Sequence, residues 1–242
     1  NGLALKRISS SDINGWNSSF RIRTFELDNK GSVYFPITSY AGSVPGLVGN
    51  KKQSIIYKIS SKGQLDSLPI NAPNETLIYN KDLGYYNNFA NHYLKVIGDS
   101  IIFNYEFSSN IYIYSLSRNE LITKEIEPKL SPTKREPIRA SDERGNSYKG
   151  PKFFPLYKLE DDGIFVRYHT NWEKGTGGSQ VKKQYLMVFD NEFNVLDEID
   201  ISEEILWDNP VVSGNKIYFH KLNQEFEDRF QYVVYTVESV KE

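Results

Sequence analysis

Residues 98–116 read GDSIIFNYEFSSNIYIYSL: a turn, a dense run of branched and aromatic side chains, a short polar break and a second such run. Val, Ile, Phe and Tyr fit a pleated, half-buried surface, so both runs read as strands. The same order recurs as GSVYF (Gly31 to Phe35) with SIIYKIS (54–60), DGIFV (Asp162 to Val166) with QYLMVF (184–189), and GNKIYF (Gly214 to Phe219) with QYVVYTV (231–237). In the first three copies a polar turn, SKG, SRNE or DNEFN, leads to a third run: QLDSLPI, LITKEI or VLDEIDI. A further candidate strand precedes each first turn, in RIRTFEL (21–27), YLKVI (93–97), PLYKL (155–159) and PVVS (210–213). The repeating unit is therefore a meander of four antiparallel strands.

Strands are expected at about 32–38, 54–60, 100–107, 110–116, 163–169, 184–190, 215–221 and 231–237, with helix nearly absent. Alternation within the runs nominates Val33, Phe35, Ile56, Ile101, Phe103, Ile113, Phe165, Leu186, Val188, Ile217, Phe219 and Val234 as core. Successive first turns lie 67, 65 and 51 residues apart. Repeated four-stranded meanders are the blades of a β-propeller, and a single β-sandwich would not explain the recurring order of turn and aromatic run. The expected fold is all-β, one β-propeller domain over 1–242, with blade-like repeats at about 20–70, 92–127, 153–201 and 209–239. Four blades sit at the low end of the range for closed rings, so a fragment of a larger ring is expected.

The blade pattern resembles the six-bladed, TolB-like propellers, especially uncharacterised propeller lipoproteins of Bacteroides-type bacteria, over about residues 20–239. The resemblance implies an envelope location, periplasm or outer membrane, through lipid attached at an upstream Cys. It carries no catalytic motif onto these positions.

Composition narrows the function classes. The chain has 17 Tyr, 14 Phe and 3 Trp against one Met and five Ala, which excludes a helical bundle. Lys+Arg number 29 against 31 Asp+Glu, a net charge of -2 that argues against a nucleic-acid partner. There is no Cys, and hence no disulfide, thiolate metal site or cysteine nucleophile. No apolar run approaches the length of a transmembrane segment, so neither a membrane span nor a retained signal peptide is expected within these residues.

Neighbouring strands run antiparallel, so successive turns alternate between the two ends of a blade. Segments 39–53, 71–91, 128–152, 170–183 and 222–230 all read as long loops at one end, which makes that end the expected working face. The connection 128–152 carries seven cations, Arg135 and Arg139 among them, against three acids. Arg forks suit carboxylate, sulfate or phosphate. Segment 79–93, YNKDLGYYNNFANHY, offers Tyr85 and Tyr86 for stacking on sugar rings, and TNWEKGTGGSQVKK (170–183) offers Trp172. The candidate ligand-binding residues are thus Tyr85, Tyr86, Arg135, Arg139 and Trp172, and the ligand class is anionic or glycan, with a protein partner as the alternative.

His169 and His220, on second strands, could join a carboxylate as metal ligands, but they form no HxH or HExxH pattern; no metal and no cofactor is expected. No GxSxG elbow is present, and no catalytic residue is nominated. The reading favoured is a non-enzymatic binding propeller of the bacterial cell envelope. The alternatives are a carbohydrate-active enzyme of the glycoside hydrolase or lyase type, whose carboxylates sequence cannot place, and a pure protein-interaction scaffold.

Overall fold

The repeat signal materialises as a succession of meanders in the computed structural model, which describes residues 20–21, 24–36, 38–39, 55–70, 92–134, 150–160, 163–174, 180–206, 210–222 and 230–238. The described residues contain seventeen strands and no helix. The chain is all-β, of the β-propeller class, with four blades along the sequence, and it divides into two compact units.

The first unit holds two blades. In one, β2 (Glu26–Leu27), β3 (Val33–Pro36), β5 (Ile56–Ile59) and β6 (Leu65–Ser67) pair in that order, beside a two-stranded pairing of β1 (Phe20–Arg21) with β4 (Thr38–Ser39). In the other, β7 (His92–Ile97), β8 (Ser100–Tyr105), β9 (Ile111–Ser115) and β10 (Glu120–Lys124) do the same. The second unit holds β11 (Lys152–Lys158), β12 (Phe165–Lys174), β13 (Gln180–Phe189) and β14 (Val195–Asp200), and a sheet of three strands, β15 (Val211–Ser213), β16 (Lys216–His220) and β17 (Tyr232–Thr236). All pairings are antiparallel. No helix among the described residues is long and apolar enough to cross a membrane.

The turns are built from side chains the repeat supplies. Asp28 Oδ1 accepts the N–H groups of Lys30 (2.9 Å) and Ser32 (2.8 Å), and Gly31 takes a φ of 76° that a residue with a Cβ adopts at a cost. Asp190 Oδ1 does the same for Glu192 and Asn194. In β11 the pairing jumps from Phe153 with His169 to Leu156 with Arg167. Pro155 sits in that gap; with no N–H to offer a ladder, it is tolerated at a bulge on an edge strand.

The core follows the alternation. Phe35, Ile56, Ile101, Phe103, Phe165, Leu186, Ile217 and Phe219 are buried as expected. Val33, Ile113 and Val188 are only half-buried, and Val234 is 45% exposed. In β17 it is Val233 and Tyr235 that pack on the cluster of Val166, Tyr168, Leu186, Ile217 and Phe219, one residue out of register from the expectation. That strand is apolar at nearly every position, so its sequence does not say which face is the core face. A second correction concerns the expected loop 170–183. β12 and β13 run on through it, pairing as far as Asn171 with Lys183, Trp172 with Lys182 and Lys174 with Gln180. His169 accordingly lies within a strand and fully buried, not at a loop end.

Candidate functional site

The two faces of sheet β11–β14 carry different chemistry, because strand alternation sends odd-numbered residues of β12 one way and even-numbered ones the other. The odd face is a buried polar seam. Arg167 is wholly buried with its guanidinium 4.8 Å from the Phe153 ring centroid and 5.3 Å from that of Phe189, and Nη1 donates to the Ser109 carbonyl at 2.7 Å. Burial pulls its pKa down to about 9, against the opposing pull of Glu198. His169 lies between the rings of Phe153 (5.2 Å) and Tyr185 (5.1 Å), its Nε2 3.1 Å from Glu198 Oε1 in a bent geometry that falls short of a hydrogen bond. The other carboxylate oxygen of Glu198 accepts the backbone N–H groups of Lys129 (2.5 Å) and Leu130 (3.2 Å).

This seam holds chain as well as charge. Ser109 N–H donates to the Thr133 carbonyl (2.7 Å) and Ser108 bridges Lys134, so the start of the cation-rich connection is fastened to the second unit. Desolvation presses the pKa of His169 down, with Arg167 adding to the effect and Glu198 opposing it. Desolvation would raise Glu198, but the contact with His169 and the two amides outweigh it and hold the carboxyl below its usual range. No group of three or more His, Asp or Glu that could hold a metal ion exists among the described residues. His220 instead meets the hydroxyl of Tyr232 at 3.2 Å.

The even face ends in cations and rings. Trp172 pairs with Lys182, and the next row on that face is Lys152, Thr170 and Gln184. Lys152 Nζ stands 5.2 Å from the Phe154 ring centroid, and Phe154 tilts against Tyr168 at 4.8 Å. Trp172 and Lys182 are half-buried. Burial, joined by the positive charge of Lys152, pulls Lys182 down to about 8. Two like charges thus lie within electrostatic reach of each other beside aromatic surface.

Of the residues nominated from sequence, Trp172 belongs to this cluster, while Tyr85, Tyr86, Arg135 and Arg139 lie outside the described residues. Lys182 and Lys152 were visible only as members of polar segments; strand register makes them neighbours of Trp172. Arg167, His169 and Glu198 were not nominated as a group. The signal was VRYH, charge and imidazole at alternate positions inside an apolar run.

The family profile described as Domain of unknown function (DUF4221) matches residues 5–200, and the chain belongs to that family. No curated protein matches the sequence. Among solved structures it is similar to the crystal structure of a DUF4221 family member from Bacteroides vulgatus, with a TM-score of 0.62 at 9% identity over 88% of this chain. The chain spans 63% of that protein's length, and at this identity the likeness is one of fold.

Proposed function

We propose that this DUF4221 member is a non-enzymatic binding protein that takes an anionic or sugar-containing ligand at the Lys152–Trp172–Lys182 end of sheet β11–β14. The observation that carries the reading is the pairing of two lysines on one sheet face next to Trp172 and Phe154. A carboxylate or sulfate accepts charge-assisted hydrogen bonds from lysine ammonium groups, and a pyranose ring stacks on an indole. Tyr85, Tyr86, Arg135 and Arg139 are further candidates for contact with a ligand of this class. The resemblance of the blade pattern to six-bladed, TolB-like propeller lipoproteins supports placing the protein at the bacterial envelope.

The test is a glycan array followed by calorimetry with uronate-containing, sulfated and neutral oligosaccharides. Acidic ligands should bind, and Lys152→Ala with Lys182→Ala should weaken them by about tenfold or more. Affinity should also fall as pH rises through about 8, where Lys182 sheds its charge. An acidic ligand indifferent to the double variant moves the site elsewhere. Failure of all three ligand types removes the glycan reading and leaves the protein scaffold.

A further inference from the structure

After β10 the chain runs as a strap over residues 126–134, irregular except for the bridge between Ser108 and Lys134. Both ends of the strap are tied to Ser109: its hydroxyl donates to the Ile126 carbonyl (2.5 Å) and its N–H to the Thr133 carbonyl (2.7 Å). The middle is gripped differently. One carboxylate oxygen of Glu198 accepts the N–H groups of both Lys129 and Leu130. Burial adds little to that grip, because none of residues 127–132 is buried and Leu130 is 41% exposed.

The carboxylate that holds the strap belongs to a set of charges sealed from water. β12 supplies Arg167 and His169, neither with exposed surface, and β14 supplies Glu198, whose other oxygen faces His169 at 3.1 Å. β13 supplies Tyr185, whose hydroxyl donates to Glu173 (3.3 Å), and β11 the uncharged ring of Phe153. Asp200, in the His169 row of the sheet, is engaged by Lys183 (3.4 Å) and by the Ser202 hydroxyl, and on the strap Lys129 and Lys134 are exposed. With His169 neutral, Arg167 and Glu198 balance. A proton added to either His169 or Glu198 leaves a net positive charge out of reach of water, which a folded interior resists. β12 is paired on both sides and cannot give way by itself. The strap can, and its opening admits water at the smallest loss of packing.

We infer that residues 126–134 form an acid-released clasp: the strap is shut on the seam while Glu198 is ionised and His169 neutral, and proton uptake by this pair frees 127–132 while the ends at Ile126 and Thr133 stay tied and sheet β11–β14 stays folded. The sign follows from linkage. Burial in the closed form holds His169 low; the His169 contact and the two strap amides, outweighing desolvation, hold Glu198 low as well. Opening returns both toward their ordinary values, about 6.5 for imidazole and about 4.3 for the carboxyl. Below those values each proton bound therefore favours the open strap.

Backbone hydrogen exchange of the unaltered protein at pH 7 and pH 4, each rate referred to that of an unstructured chain at the same pH, tests the clasp. The amides of Lys129 and Leu130 should lose protection by about tenfold or more in acid, while those of Ser109, β12 and β13 keep theirs. His169→Phe should move that loss to lower pH, since Glu198 alone is left to take the proton. Glu198→Gln keeps an acceptor oxygen without its charge, and should leave the strap open at pH 7 with no further change in acid. Protection at Lys129 and Leu130 that persists to pH 4 overturns the proposal. Its loss in step with the β12 and β13 amides overturns it too, because the whole sheet is then unfolding. If Glu198→Gln does not fold, the profiles of the unaltered protein and of His169→Phe decide between these outcomes.

Discussion

Two buried histidines show how differently two blades of one repeat can be filled. His92 on β7 stands across from Tyr105 at 5.3 Å and beside Phe103, within an aromatic cluster that Tyr112 completes by stacking on Phe103 at 5.1 Å. Its Nε2 lies 3.2 Å from the Ile55 carbonyl, and since a carbonyl only accepts, the ring donates there. His169 on β12 is likewise sandwiched by rings, but its Nε2 faces the carboxylate of Glu198 and Arg167 lies on the same strand face. The first cluster is held by burial of rings. The second is held by a set of charges removed from water, which is stable only while each has its partner. The same four-stranded frame therefore tolerates either filling, and the second gives its blade a dependence on pH.

The largest effects should come from the bulkiest member of each cluster. Arg167→Ala removes two ring contacts, the donor to Ser109 and a buried positive charge within electrostatic reach of Glu198, at a cost of about 3 to 5 kcal/mol. Phe103→Ala opens a cavity at a fully buried position for about 3 to 5 kcal/mol as well. The comparison is sharpened by pH. Urea unfolding at several pH values should find the Phe103→Ala cost constant and the Arg167→Ala cost changing with the ionisation of Glu198. Equal pH dependence in the two variants would break the distinction.

The aromatic filling was legible in the sequence and the charged one was not, for a physical reason. Phe103 and Ile101 announce themselves because turn, apolar run and alternation are local properties of 98–105. The four blades follow from the same local order repeated. Arg167 and His169 also stand in a run, but their meaning depends on Glu198, which reaches them through the register of β12 on β13 and β13 on β14. Register is likewise what makes 170–174 and 180–183, read as loop, part of β12 and β13. TNWEKGTGGSQVKK is polar, and a hairpin that outgrows the apolar core keeps its ladder while losing the hydrophobic signal. The nomination of Trp172 came from its ring and its place in the expected long loop 170–183; its companions Lys152 and Lys182 required knowing which strands lie side by side.

Acid should separate the two blades next. Burial lowers the His169 pKa in the folded state, so below the ordinary value of about 6.5 the unfolded chain takes up a proton that the folded chain resists, and stability declines from there downward. Glu198 is also held low, so its contribution is present above the ordinary carboxyl range and is lost as pH falls through its folded value. Both slopes have the same sign: wild-type stability should fall from about pH 6.5 to pH 4. His169→Phe should flatten the upper part of that decline and Glu198→Gln the lower part, at the price of a lower plateau at neutral pH. A wild-type plateau extending unchanged to pH 4 would show that the seam does not titrate as described.

The smallest effect belongs to the histidine that faces a carbonyl. His92→Phe keeps an aromatic ring against Tyr105 and Phe103 but withdraws the N–H from the Ile55 carbonyl, which stays accepting and buried beside it. An unsatisfied buried acceptor of this kind costs about 1 to 3 kcal/mol, and the added ring surface, with no polar nitrogen to bury, offsets part of it. The net loss should therefore sit near about 1 kcal/mol, well under that of Phe103→Ala. The fold and the strand signal in circular dichroism should be unchanged, since the ring keeps its place against Tyr105 and Phe103. The measurement is the same urea series. A loss as large as that of Phe103→Ala would mean that the ring donor, and not ring burial, holds this cluster, and that the contrast between the two blades is one of degree.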